Sequence, residues 1–208
     1  MGRHRAAEED GFRLLFVCTG NICRSPFAEI LTRHLLLARL GGQAAARFEV
    51  GSAGVQAVVG ASMHPDSRAE LAPWGLDGPA AAGFVARLLV PSMVERADLV
   101  LGAGPRHRTS VVECSPAGLA VAFGLREFAR LAGRVDPALL PDEPVERAHA
   151  LVDHVRHRRG MEPPASPEAE LIPDPMGRPR AAHHEAAVLI RDSVEVFVQA
   201  IMPPQRRP

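Results

Sequence analysis

The chain has 208 residues, with 24 lysines and arginines balanced by 24 aspartates and glutamates, 47% hydrophobic residues and three cysteines. Zero net charge gives no global footprint for nucleic acid or an anionic membrane, and no apolar run approaches the ~20 residues of a membrane span. The apolar share suits a chain that buries one core, and three cysteines make no disulfide framework, which points to a reducing, cytoplasmic setting.

Residues 1–12 read as a disordered tail; "MGRHRAAEED" is charged, with no apolar stretch of signal-peptide type behind it. Residues 14–17 are an unbroken apolar run, as in a central parallel strand covered on both faces. A polar stretch over 19–24 follows. A helix is expected next, with Ser25 as N-cap and Pro26 at its first position. Phe27, Ile30, Leu31, Leu35 and Ala38 form its apolar stripe, and Gly41 and Gly42 end it. A second strand is expected around 48–50. Asp66 is placed to cap a helix running to Trp74, stopped by Gly75. "ADLVLG" (97–102) reads as a third strand with a helix over 106–114, and "LAVAFG" (119–124) as a fourth strand with a helix over 126–132. This alternation predicts an α/β fold with a doubly wound parallel sheet.

The next part is less regular. Val145, Ala148, Val152 and Val155 have helical spacing between Pro144 and Gly160, and residues 161–173 hold four prolines and read as a surface linker. An inserted helix and Pro-rich linker are therefore expected over about 136–173. Ala187, Ile190, Val194, Phe197, Val198 and Ile201 mark a closing helix, and 203–208 read as a second tail. One domain over 13–202 is the expectation.

The chemistry concentrates in "VCTGNICRSP". Cys18 falls just past the C-terminal end of a central strand, where α/β proteins place ligands. Gly20 and Asn21 tolerate the left-handed backbone of a tight loop. Such a loop wraps its N–H groups around one point, and the following helix aims its positive end there. That cradle binds a tetrahedral oxyanion and favours a thiolate at Cys18. Arg24 can grip two anion oxygens at once. With phosphate, thiolate attack gives a cysteinyl-phosphate that water later hydrolyses. Asp174, in the stiff turn "PDPMG", is a candidate proton donor for the leaving oxygen.

"VCTGNICRSP" resembles the phosphate-binding loop of the low-molecular-weight protein tyrosine phosphatases, and "VGSAGV", "ADLVLG" and "IPDPMGRP" extend the likeness. The resemblance implies a flavodoxin-like four-stranded parallel sheet flanked by helices, and no metal or organic cofactor. It implies Cys18 as nucleophile and backbone N–H groups of Thr19, Gly20, Asn21, Ile22, Cys23 and Arg24 as phosphate ligands. Arg24 would stabilise the transition state, and Asn21 would hold the loop. Ser25 would support the thiolate, and Asp174 would act as acid and then base. It also implies a reversible disulfide between Cys18 and Cys23, and Cys23 reads equally as a small buried residue packing under the loop.

The family's aromatic residue after the late Asp-Pro is replaced by Met176, and the chain has no tyrosine. The substrate is thus read as a phosphorylated protein or a small phosphorylated molecule. Two other activities share the loop. Arsenate reduction with a small thiol is one, since only Cys114 remains outside the loop to relay a disulfide. Phosphate or phosphopeptide sensing with little turnover is the other, its expected mark being loss of Cys18, Arg24 or Asp174. The pairs His154/His157 and His183/His184 lack a metal-site pattern and read as solvated faces. Arg156, Arg158 and Arg159 read as solvated surface or an acidic-partner site. "GAGPRH" (102–107) lacks the third glycine of a dinucleotide fingerprint and reads as a strand-end turn.

Overall fold

The computed structural model describes residues 11–164 and 166–203. The expected tails therefore fall mostly outside the described residues. Of the tail residues that are described, Phe12 opens the first strand and is fully buried.

Four strands make one parallel sheet: β1 (Phe12–Cys18), β2 (Phe48–Gly54), β3 (Leu99–Gly102) and β4 (Ala122–Gly124), in the order β2-β1-β3-β4. The principal helices are α1 (Arg24–Leu40), α2 (Pro65–Ala69), α3 (Pro91–Arg96), α4 (Pro105–Cys114), α5 (Leu125–Ala132), α6 (Pro144–Arg158) and α7 (Arg180–Ala200). This is the doubly wound α/β architecture. From β1 the chain crosses to β2 on one side, then to β3 on the other, so a crevice opens above the C-terminal end of β1.

The period-2 pleat of β1 splits the core in two. Phe12, Leu14 and Phe16 join Leu99, Leu101 and Phe123 under α1, α5, α6 and α7. Leu15 and Val17 join Val100 and Ala122 under α3 and α4, through Val94 and Val111. Both faces are covered, which is why β1 reads as an unbroken apolar run. Phe197 of α7 packs between Phe12 and Phe128, with ring centroids 6.1 and 6.2 Å away.

Several boundaries differ from the sequence reading. β2 runs on to Gly54, because a parallel partner in β1 pairs with glycine and serine as well as with apolar residues. The fourth strand keeps only Ala122–Gly124; Gly118–Val121 is a helical turn. The helix after Asp66 is short, and His64 caps it by accepting from Asp66 N–H. Trp74 lies in a separate 3₁₀ turn, edge-on to Phe27. Ala38 is exposed rather than part of the α1 stripe.

The inserted helix α6 does not form the entrance to the crevice. Its face of Val145, Ala148, Leu151, Val152 and Val155 is buried in the core. Its His149 meets Phe12 at the opposite end of β1. Buried Arg147 donates to Ala200, Leu140, Pro141 and Pro137 carbonyls, tying the insertion to the end of α7. The linker after it is held as well. Arg130 pairs with Glu170 at 2.5 Å and Arg134 with Glu162. Arg158 and Arg159 are ion-paired to Glu162 and Glu127, and Arg159 lies over the Phe123 ring, so this is not a free basic patch.

Candidate active site

The loop between β1 and α1 is turned inside out by its hydrogen bonds. The carbonyls of Cys18, Thr19 and Gly20 accept from the N–H groups of Val55, Gln56 and Val58, and that of Ile22 from His64. Cys23 O accepts from Phe27 N–H in the first turn of α1. A trans peptide points its N–H away from its C=O, and none of these bonds is cis. With the carbonyls taken outward, the N–H groups of Thr19, Gly20, Asn21, Cys23 and Arg24 face the other side. Gly54 permits this approach, since a Cβ there would sit 2.6 Å from Thr19 O and 2.9 Å from Asn21 N.

One residue carries the left-handed turn. Asn21 has φ 53°, while Gly20 does not adopt positive φ. Asn21 is fully buried, and its side chain makes three bonds that offset the strain. Nδ2 donates to Ser25 Oγ at 2.9 Å and Ser52 Oγ at 2.8 Å, and Oδ1 accepts from Arg87 N–H at 2.9 Å.

Proton directions then follow. Ser52 Oγ donates to the buried Glu29 carboxylate at 2.6 Å, and Arg33 balances that charge at 2.8 Å. Ser25 Oγ accepts from Asn21, which leaves its own proton for Cys18 Sγ at 3.0 Å, the alternative acceptor being Ala53 O at 3.5 Å. A chain of donors thus runs from Asn21 through Ser25 to the sulfur. Ser25 is not the helix N-cap: α1 starts at Arg24 with Cys23 before it, and the Ser25 hydroxyl is turned to Cys18 instead.

Arg24 is 5% exposed. Its Nη1 donates to Ile172 O at 3.2 Å, and its Nη2 to Asp174 Oδ2 at 2.6 Å and Thr19 Oγ1 at 3.4 Å. Its Nε is buried without a partner among the described residues. Asp174 is 47% exposed and also accepts from Met176 N–H. Its turn is tied to the sheet by Ile172 N–H donating to Ala103 O. The structure thus joins Cys18, Arg24, Ser25 and Asp174 across 150 residues of chain.

Cys23 differs from Cys18. All three cysteines are free thiols. Burial pushes the Cys23 thiol up to about 11, against the pull of the Ser67 hydroxyl, and its Sγ lies 3.4 Å from Met176 Sδ.

Four contributors escape the sequence reading: Glu29, Ser52, Arg87 and His107. His107 Nε2 lies 3.1 Å from Thr19 Oγ1, and its Nδ1 is buried and unpartnered. Burial, then the Arg24 guanidinium, pushes its pKa down to about 4. "GAGPRH" is a strand-end turn, but it follows β3, the neighbour of β1, so its histidine reaches the loop. His183 also departs from the reading: it is buried, not solvated, because it lies one turn before Ala187 on the core stripe of α7. His184 stays exposed and meets Glu70 at 2.8 Å.

A cysteine at a central strand end, in a loop of inward N–H groups beside a buried arginine and a half-exposed carboxylate, defines a class: the cysteine-dependent phosphatases. Comparison with known proteins agrees. The family model for low molecular weight phosphotyrosine protein phosphatases matches residues 13–158. A probable low molecular weight protein-tyrosine-phosphatase of Ralstonia solanacearum, EpsP, is 34% identical over 115 residues, spanning 55% of this chain and 71% of that protein. A protein-arginine-phosphatase of Geobacillus stearothermophilus is 32% identical over 117 residues, spanning 56% and 71%. Among solved structures, Vibrio vulnificus Wzb in complex with benzylphosphonate superposes with TM-score 0.62 at 18% identity, covering 91% of this chain and 98% of that one. The chain belongs to the low molecular weight phosphotyrosine protein phosphatase family.

Proposed function

We propose that the protein hydrolyses phosphorylated protein side chains, phosphotyrosine foremost, through a cysteinyl-phosphate on Cys18. The observation that carries this reading is the loop whose carbonyls are bound outward around a sulfur that receives the Ser25 hydroxyl.

The steps follow from the groups present. The substrate phosphoryl oxygens take the inward N–H groups and the Arg24 guanidinium, including its unpartnered Nε. The incoming dianion displaces the Asp174 carboxylate from Arg24 Nη2; released from the cation and set beside the phosphoryl group, the carboxylate takes a proton from solvent and faces the leaving oxygen. Cys18 sulfur attacks phosphorus; the S–P bond forms, the P–O bond breaks, and Asp174 gives its proton to the departing oxygen. Asp174 then takes a proton from water as that water attacks phosphorus. The S–P bond breaks, inorganic phosphate leaves, and Ser25 hydrogen-bonds the restored thiolate.

Among the described residues, the side chains placed at the two ends of the loop are not aromatic. Val58, half-exposed, sits over Gly20, and Met176, 46% exposed, stands at the Cys23 end of the loop. An aliphatic and thioether slot accepts a flat ring with less shape selection than two rings would impose. The likeness to a protein-arginine-phosphatase makes phosphoarginine the second substrate to test.

The test is hydrolysis of para-nitrophenyl phosphate with a chelator present, by the wild type and Cys18→Ser, followed by phosphotyrosine and phosphoarginine peptides. Turnover by the wild type alone is the expected result. Equal turnover in Cys18→Ser overturns the mechanism. Arsenate reduction without phosphate release overturns the assignment.

A further inference from the structure

Apart from the reacting thiol, the described residues bring one set of soft donors together. Cys23, His64 and His183 each offer a ligand atom, and these atoms lie within 4.8 Å of one another. Cys23 and His183 are buried and His64 is half-buried. They come from three separate parts of the chain: the phosphate loop, the cap of α2 and the first turn of α7.

The donor chemistry suits a cation. Ser67 Oγ lies 2.8 Å from His183 Nδ1 and also bonds the Cys23 sulfur. If the Ser67 proton goes to sulfur, Ser67 accepts from His183 Nδ1–H, which leaves the His183 lone pair on Nε2. That hydrogen bond orients the ring as metal-binding histidines are oriented. His64 holds its lone pair on Nδ1, which accepts from Asp66 N–H at 3.2 Å. The two rings stack 4.5 Å apart between centroids.

The spacing is close to what a metal needs. Three atoms within 4.8 Å of one another leave a point within about 2.8 Å of all three (4.8 Å divided by √3). Zinc bonds are ~2.0–2.3 Å. Each donor therefore moves inward by roughly 0.5–0.8 Å, and the His64 ring turns out of its stack to aim its lone pair.

We propose that Cys23, His64 and His183 form a site for one zinc(II) ion, open to solvent at its fourth position, and that filling it inhibits the enzyme. As the sulfur–metal bond forms, the Cys23 thiol releases its proton to solvent, and the imidazoles bind as neutral donors. Inhibition follows from place. The Cys23 N–H belongs to the phosphate cradle, and Met176 Sδ beside its sulfur belongs to the turn that carries Asp174. Drawing Cys23 toward the histidines displaces both, and misplacement by ~1 Å costs on the order of 10²-fold in rate. The inhibition half of the proposal rests on the phosphatase reading; the binding half does not.

Binding and inhibition are therefore read separately. Cobalt(II), added to the reduced protein as a spectroscopic stand-in for zinc, reports thiolate ligation as an intense near-ultraviolet charge-transfer band. The band is expected in the wild type and in Cys18→Ser, and lost in Cys23→Ser. Zinc(II) should inhibit para-nitrophenyl phosphate hydrolysis, with recovery on chelation. His183→Gln should keep the zinc-free rate, and both it and His64→Ala, each read against its own zinc-free rate, should need ~10-fold more zinc or beyond for the same inhibition. Absence of the band, or a band that follows Cys18 instead of Cys23, overturns the site whether or not the protein turns over phosphate. Zinc inhibition unchanged in both histidine variants also overturns it, since the metal would then act on Cys18.

Discussion

The two ends of one loop treat the same thiol group in opposite ways. At the first end, Cys18 sits at the close of β1 and receives the Ser25 hydroxyl, itself held by Asn21, Ser52 and the charged Glu29. At the second, Cys23 sits at the start of α1 among Met176, Ser67 and two histidines, and burial pushes its thiol up to about 11. Four residues of chain separate the two sulfurs, and each has a serine hydroxyl beside it. Both cysteines are buried, and their neighbours set them apart: the serine at Cys18 is held by Asn21, while the serine at Cys23 is shared with His183.

The largest test of this contrast is a pair of serines. Cys18→Ser should lower kcat by ~10⁴-fold or more, while Cys23→Ser, whose backbone N–H is retained, should lower it by less than about 10-fold. Steady-state hydrolysis of para-nitrophenyl phosphate reads both, and equal losses would erase the distinction. Asp174→Asn comes next. It should cost ~10²–10³-fold in kcat, and more as the leaving group's pKa rises, so alkyl phosphates should suffer beyond nitrophenyl phosphate. A loss independent of the leaving group would reduce Asp174 to a partner of Arg24.

Smaller effects probe what holds the first end in place. His107 titrates at about 4 in the fold against an ordinary 6.5. A depressed base is neutral in the fold, so the unfolded chain binds more protons between these values. Stability should therefore be full above pH 6.5 and fall as pH drops toward 4, by up to about 3 kcal/mol. Urea melts across this range should show that slope, and His107→Gln should flatten it. Glu29→Gln keeps the shape but removes the charge that orders the Ser52 proton. It should cost about 1–3 kcal/mol, read as a fall in Tm of roughly 2–4 °C per kcal/mol.

Much of this was readable from the sequence, and the reason is local. Cys18, the turn through Asn21 and Arg24 lie within seven consecutive residues at a strand–helix junction, and the apolar run before them marks a strand buried on both faces. The alternation of strands and helices likewise fixed a doubly wound sheet. The supporting residues were not readable, because they meet the loop only after folding. Ser52 comes from the neighbouring strand, Glu29 from a helix face that otherwise reads as apolar, and His107 from the turn after β3. β2 reads short in the sequence because Gly51, Ser52 and Gly54 have weak strand propensity, yet the sheet edge beside β1 imposes the conformation. His183 reads as solvated only when paired with His184; its helical spacing to Ala187 and Ile190 places it on the buried face.

The outward ties of the loop carbonyls have one more consequence. A cradle held from behind by Val55, Gln56, Val58 and His64 needs no substrate to assemble it. Such a cradle recognises the tetrahedral group alone, and inorganic phosphate, the final product, presents that same group. The enzyme should therefore be braked by its own product, and by vanadate or sulfate, in simple competition with substrate. Its working rate in a cell would track the ambient phosphate level as well as the supply of phosphorylated partner.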